Sequence, residues 1–135
     1  MRLLLDTHIL LAVLEKRTAN VALGVRTLLA NPAGEFHVSV ASLWEIAIKW
    51  RLGKLHLSVG LETLPGLLGE VGIGLLAINE HHVLAGVEPE SLTRDPFDRL
   101  LLAQCQVEGL RLVTVDRALV SHAMAARAGG RASRG

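Results

Sequence analysis

Residues 93–116 have the sequence TRDPFDRLLLAQCQVEGLRLVTVD, which contains a helix start, a helix, a short apolar run and an acidic residue in that order. Asp95 followed by Pro96 is typical of a helix start, because Asp caps free backbone N–H groups and Pro fits the first helical position. The periodicity predicts a helix over 96–108. The run Leu112-Val113-Thr114-Val115 has no polar alternation, as expected for a strand buried on both faces of a parallel sheet.

The same alternation of apolar runs and helical segments extends through the rest of the chain. Further short strands are predicted at Leu3–Leu5, Phe36–Val40 and Ile73–Ala77. Helical periodicity is predicted over 7–16, 20–30, 41–52, 60–71 and 80–86. Strands that alternate with helices indicate a single α/β domain with a parallel sheet and helices on both faces. We expect this domain to span residues 1–128, and the Gly-rich, basic residues 129–135 to form a disordered tail.

The composition limits the classes of function. Half of the residues are hydrophobic and the formal net charge is only +1, so any nucleic-acid binding must come from a local patch or from metal ions. Asp6 interrupts the apolar start before a signal core is complete, and no apolar run approaches a membrane span. We therefore expect a soluble, cytoplasmic protein with no membrane association. Cys105 is the only cysteine, and its apolar helical surroundings predict a buried, inert thiol.

Four acidic residues occupy positions from which they can converge. Asp6 and Asp116 each directly follow an apolar run, whereas Glu45 and Asp98 are predicted to lie early in helices. In doubly wound sheets, ligands collect at the carboxyl ends of the strands. The order of the elements therefore predicts that the four carboxylates line one pocket.

Glu45 is the most informative of these acids, because its helix is apolar on nearly all sides. Only Ser42, Glu45 and Lys49 form a narrow polar stripe on that helix. A buried carboxylate is costly unless it is paired or bound to metal. Two structural explanations remain open: a capping box with Ser42 as the cap, or an ion pair between Glu45 and Lys49.

The other three acids also have structural explanations. Asp6 and Asp116 could each cap a helix that follows a strand. Asp98 falls in the first turn of its helix, where the helix dipole favours an anion, but Asp95 already supplies the cap there. A non-enzymatic binding module whose acids are helix caps is therefore one alternative.

A cluster of four carboxylates supports metal-assisted cleavage of phosphodiester bonds. Mg²⁺ and Mn²⁺ prefer oxygen ligands, and such ions orient water and stabilise charge on a phosphate. The chain has no Gly-rich phosphate loop, and its six histidines lack zinc-ligand spacing, so we expect none of them to be catalytic. An aspartyl-nucleophile phosphatase is the enzymatic alternative, but its usual second Asp would stand at the position of His8.

Four motifs, spread over nearly the whole chain, carry a resemblance to a known family. They are Leu4-Leu5-Asp6-Thr7-His8, the segment from Ser39 to Lys49, the segment from Asp95 to Gln104, and Leu112-Val113-Thr114-Val115-Asp116. In this order they resemble a PIN-domain ribonuclease, specifically a VapC-like toxin of a type II toxin–antitoxin pair. The second and third motifs are the more specific.

The resemblance implies a three-layer α/β/α sandwich and an endoribonuclease that hydrolyses RNA. It also implies that Mg²⁺ or Mn²⁺ is held by Asp6, Glu45, Asp98 and Asp116, with Thr7, Ser42 and Thr114 as supporting groups. A homodimer and a cognate antitoxin protein are the implied partners. One departure concerns residues 120–129, which are more typical of a helix than of the closing edge strand of the family.

Overall fold

A computed structural model describes residues 1–91 and 93–127 of the chain. The strands are β1 (Arg2–Leu5), β2 (Glu35–Ser39), β3 (Gly74–Leu76) and β4 (Arg111–Val113). The helices are α1 (Thr7–Leu14), α2 (Leu23–Ala30), α3 (Val40–Arg51), α4 (Leu64–Glu70), α5 (Glu80–Leu84) and α6 (Pro96–Glu108), with short 3₁₀ turns at Thr18–Asn20 and Leu61–Thr63.

The strands form one parallel sheet in the order β3-β2-β1-β4. In register, Leu4 of β1 lies between His37 of β2 and Leu112 of β4. The order along the chain reverses beside β1, because β2 and β3 lie on one side of it and β4 on the other. The carboxyl ends of β1 and β4 therefore border the switch point, where ligands bind in open α/β sheets.

Apolar side chains cover both faces of the sheet. Leu3 and Leu5 of β1 lie in a core cluster that includes buried residues of α1, α2, α3 and α4. Leu4 points to the opposite face and packs in a second cluster with Leu101 and Leu102 of α6. The predicted α/β domain with helices on both faces of a parallel sheet is confirmed. No helix among the described residues is long and apolar enough to cross a membrane.

The two ends of α6 follow the rules of helix capping. Asp95 accepts a hydrogen bond from the backbone N–H of Phe97 at 2.9 Å, and Pro96 occupies the first turn, as predicted. Gly109 ends the helix with φ 70°, in the left-handed region that glycine adopts without a steric penalty. These caps fix the position of the first turn of α6, which carries Asp98.

The start of α3 differs from the prediction. Ser39 caps this helix by accepting from the backbone N–H of Ala41 at 3.0 Å, whereas Ser42 lies inside the helix. Glu45 is consequently in the middle of α3 rather than early in it, and a capping box between Ser42 and Glu45 is ruled out. Asp98 lies in the first turn of α6, as predicted.

The prediction of a helix over residues 120–129 is wrong for the residues that the structure describes. The chain forms turns after Asp116, and Ala125 then makes an isolated parallel bridge with Leu112 of β4. Two hydrogen bonds of 2.8 Å hold this bridge, from the N–H of Leu112 to the carbonyl of Met124 and from the N–H of Ala126 to the carbonyl of Leu112. A short extended segment therefore covers the edge of β4. The predicted tail at 129–135 lies outside the described residues.

Candidate functional site

A pocket of about 380 Å³ lies where the chain leaves β1 and β4. All four acids singled out from the sequence line it, together with a fifth acid and a lysine. Its polar and apolar lining residues are Asp6, Thr7, His8, Leu11, Glu45, Lys49, Asp95, Asp98, Val115 and Asp116. Asp6, Glu45, Asp98 and Asp116 therefore line one pocket, as the order of the elements predicts.

Asp6 is the most buried of these acids, with 5% of its surface exposed. It caps α1, because its Oδ1 accepts a hydrogen bond from the backbone N–H of Ile9 at 2.8 Å. Its own N–H donates to the carbonyl of Val113 at 3.1 Å, which ties it to the end of β4. Burial raises the pKa of Asp6, and hydrogen bonds from Thr114 and Ile9 oppose that rise.

Asp98 projects from the first turn of α6 and is half-buried. Thr93 Oγ1 donates to its Oδ2 at 3.3 Å. Burial, followed by repulsion from Asp95 and Asp116, raises the pKa of Asp98 to about 6. The charge of Asp116 raises the pKa of both Asp6 and Asp98, so Asp116 is a common electrostatic neighbour of the two.

Glu45 and Asp116 hold different partners. Glu45 Oε2 accepts from Lys49 Nζ at 2.8 Å, which is the ion pair left open by the sequence. Asp116 is exposed, and its Oδ1 accepts from the backbone N–H of Ala118 at 2.8 Å. The backbone N–H of Asp116 in turn donates to Thr114 Oγ1 at 3.0 Å. Thr114 therefore hydrogen-bonds with two of the acids.

The remaining supporting residues, Thr7 and Ser42, contact each other. Thr7 Oγ1 donates to Ser42 Oγ at 2.9 Å, and both side chains are buried. This bond joins the first turn of α1 to α3, and so it fixes the distance between the helices that carry Asp6 and Glu45. Their role in the described conformation is to position these helices.

The donor set suits a hard divalent cation, because carboxylate oxygens surround one pocket and thiolates and paired histidines are not among its lining residues. In the described part of the chain, however, no three His, Cys, Asp or Glu side chains are gathered closely enough to ligate one ion. Glu45 contacts Lys49 instead, and one oxygen each of Asp6 and Asp116 accepts a backbone N–H. A cation shared by Asp6, Glu45, Asp98 and Asp116 would therefore require these side chains to rotate from the positions described.

Four further residues at the site were not assigned to it from the sequence. Asp95 and His8 line the pocket, although Asp95 had been explained fully by its capping role. Lys49 had been considered only as a surface partner of Glu45. Thr93 bonds Asp98, and its position five residues earlier gives no periodic signal that could have revealed this contact. Cys105, by contrast, is buried as predicted, and burial raises the pKa of its thiol to about 12.

A comparison with family models gives one match, the model described as "PIN domain", over residues 3–123. No significant match to a curated protein was found. PIN domains are generally nucleases, and the parallel sheet with flanking helices agrees with that fold. Because the match covers both strands that border the pocket and all four acids, the chain belongs to the PIN domain family.

Proposed function

We propose that the protein is a metal-dependent endoribonuclease that hydrolyses RNA phosphodiester bonds. The observation that carries this proposal is one pocket lined by Asp6, Glu45, Asp98 and Asp116 in a member of a family that generally consists of nucleases. Phosphodiester hydrolysis needs positive charge near the phosphate, and bound cations can supply it in a pocket whose lining holds five acidic residues and one lysine.

In this proposal the four carboxylates hold Mg²⁺ or Mn²⁺. When bound, the ion supplies positive charge that orients water and stabilises the charge developing on the phosphate. Asp6 and Asp116 are held in place by backbone N–H groups, and so each presents its second oxygen from a fixed position. Thr114 hydrogen-bonds with Asp116 and Asp6. The hydrogen bond between Thr7 and Ser42 holds α1 against α3.

The alternative of a binding module with structural caps accounts for only part of this arrangement. Asp6 and Asp116 accept backbone N–H groups, as caps do. Glu45 and Asp98 accept only from the side chains of Lys49 and Thr93 among the hydrogen bonds of residues 1–91 and 93–127. Helix capping therefore does not explain why Glu45 and Asp98 line the same pocket. The aspartyl phosphatase is not favoured, since His8 stands where its second acid is required.

Cleavage of a labelled single-stranded RNA by purified protein tests the proposal. We expect activity with Mg²⁺ or Mn²⁺, none with excess EDTA, and loss of at least about 100-fold in Asp98→Asn, because an amide lacks the charge of the ligand. Glu35→Gln is the matched control, since Glu35 is exposed on β2 at the opposite end of the sheet. Undiminished cleavage in EDTA would overturn the metal mechanism.

We further propose that the nuclease is the toxin of a toxin–antitoxin pair, a homodimer that acts on cytoplasmic RNA and is blocked by a cognate antitoxin. The resemblance of the four motifs to VapC-like toxins supports this role. Trp44 supports the dimer, because it is 62% exposed and stacks edge-on against Phe97 at a centroid distance of 5.6 Å, an apolar surface that a partner can cover.

Induced expression tests the toxin role. Wild-type protein should arrest growth, co-expression of a small neighbouring gene product should relieve the arrest, and Asp98→Asn at equal expression should be harmless. Normal growth with abundant, metal-active protein would contradict the toxin role and leave the nuclease activity standing. Sedimentation of the purified protein gives its oligomeric state.

A further inference from the structure

The pocket contains a cation of the protein's own. Lys49 is the only Lys or Arg among the described residues that line it, and five acidic residues share that lining. An RNA phosphate is an anion, so these carboxylates repel it unless cations intervene. A metal ion and the Lys49 ammonium can therefore each offset this repulsion, and both are attracted to the carboxylate of Glu45.

The contact between Lys49 and Glu45 has the properties of an exchangeable pair. The Lys49 side chain is 49% exposed, whereas that of Glu45 is 13% exposed, so a side chain that remains half in solvent pairs with a largely buried carboxylate. Lysine carries its charge on a flexible four-carbon stem, which allows the ammonium to move without backbone change. Ion pairs of this i,i+4 type are weak and stabilise a helix by a factor of only about two in an equilibrium constant.

Glu45 has no other hydrogen-bond partner in the described part of the chain. Its oxygens are thus free to change from one cation to another, unlike Asp6, whose Oδ1 is bound to the backbone of Ile9. Lys49 occupies only Oε2 of Glu45, so a divalent cation can approach Oε1, and its charge then repels the neighbouring Lys49 ammonium.

Building on the proposed function, we propose that Lys49 is an exchangeable counter-ion of the nuclease pocket. Without metal, its ammonium neutralises Glu45. When a divalent cation binds Glu45, the ammonium moves to the mouth of the pocket and contacts a phosphate of the single-stranded RNA. Lys49 is a positioning residue for Glu45 in the first state and a substrate-binding residue in the second.

Calorimetric titration of the metal-free protein with Mn²⁺ alone tests whether Lys49 competes with a metal ion for Glu45. Lys49→Met should bind Mn²⁺ about two-fold more tightly or better, because the competing ammonium is gone. Lys49→Arg should bind like the wild type or more weakly, since it keeps the charge. Lys54→Met is the matched control, because Lys54 is exposed, lies just after α3 and does not line the pocket.

RNA cleavage at saturating Mn²⁺ tests whether Lys49 contacts a phosphate of the RNA. Lys49→Met should raise KM for a single-stranded RNA and change kcat much less. A lost phosphate contact also makes the dependence of log(kcat/KM) on log salt shallower by about 0.7. Lys49→Arg should restore the KM and the salt slope, and Lys54→Met should leave both unchanged.

The outcomes separate this proposal from the proposed function. Equal Mn²⁺ affinity in wild type and Lys49→Met, in a protein that cleaves RNA, overturns the exchange alone. An unchanged salt slope in Lys49→Met overturns the phosphate contact. A folded wild type that binds no Mn²⁺ and cleaves no RNA overturns both proposals.

Discussion

Replacing Asp98 by Asn should stabilise the metal-free protein while abolishing its proposed activity. The pKa of Asp98 is raised from 3.8 to about 6, because burial and the charges of Asp95 and Asp116 disfavour its ionised form. That shift corresponds to about 3 kcal/mol at face value. Since the carboxyl is only half-buried, solvent screening reduces the gain to about 1 kcal/mol. For a domain of this size the melting temperature should rise by about 3–5 °C.

The dependence on pH identifies Asp98 as the cause. Below about pH 3.8 the Asp98 carboxyl is protonated in both the folded and the unfolded chain, so its titration does not change the free energy of unfolding there. Between about pH 4 and 6 the unfolded chain loses this proton and the folded chain keeps it, so rising pH favours unfolding. The stabilisation of Asp98→Asn over wild type should therefore be near zero at the acidic end of this window, grow through it and stay constant above it.

Melting curves in the presence of chelator, from about pH 3.5 to 8, measure this difference. Glu35→Gln removes a charge at the other end of the sheet, away from the pocket, and is the matched control. Mn²⁺ at about 100 times its Kd should then stabilise the wild type by about 2.7 kcal/mol, and Asp98→Asn much less. An Asp98→Asn protein that melts below wild type at every pH would show that the carboxylate stabilises the fold and would refute the reasoning.

Three further predictions concern the rest of the chain. Gly109→Ala should lower the free energy of unfolding by about 1 kcal/mol, because its φ of 70° is strained for alanine, whereas Gly86→Ala, which adds a Cβ in open space, should not. Cys105 should resist a disulfide reagent in the native protein and react only in denaturant, since burial raises its pKa to about 12; immediate labelling would contradict this. Deletion of residues 129–135 should leave RNA cleavage intact, because their Gly- and Arg-rich composition cannot pack a core; a folded but inactive truncation would mean that they contact RNA.

The strands and helices were predictable because they depend on local pattern. Short, mainly apolar runs located the four strands of the described residues, and capping residues such as Asp95 and Pro96 located the start of α6. The start of α3 was predicted within one residue, but Ser39 and Ser42 are equally good caps, and only the end of β2 decides between them. Residues 120–127 are Ala-rich and suit a helix, yet the pairing of Ala125 with β4 outweighs that propensity.

The composition of the site was predictable for a different reason. Strand order and the position of the acids after strands place Asp6 and Asp116 at the same edge of the sheet, whatever their side-chain rotamers. The contacts between those side chains depend on rotamers and on loops, and so the sequence could not supply them. Thr93 in the segment before α6 reaches Asp98 in its first turn, and Lys49 reaches Glu45 four residues earlier on α3.

Helix capping and metal binding make compatible demands on the same carboxylates. The cap on α1 uses one oxygen of Asp6, and the bond from Ala118 uses one oxygen of Asp116, which leaves a second oxygen on each. A carboxylate held by a backbone N–H keeps one orientation, so capping preorganises these two acids for a ligand. Glu45 and Asp98 accept no backbone N–H among the described residues. To bind an ion, Glu45 would weaken its contact with Lys49, and Asp98 its contact with the Thr93 hydroxyl. The pocket therefore combines two acids that accept backbone N–H groups with two that contact side chains. Because a cap and a metal ligand would use the same geometry at Asp6 and Asp116, Mn²⁺ binding by variants of these two residues, rather than their contacts, distinguishes the two roles.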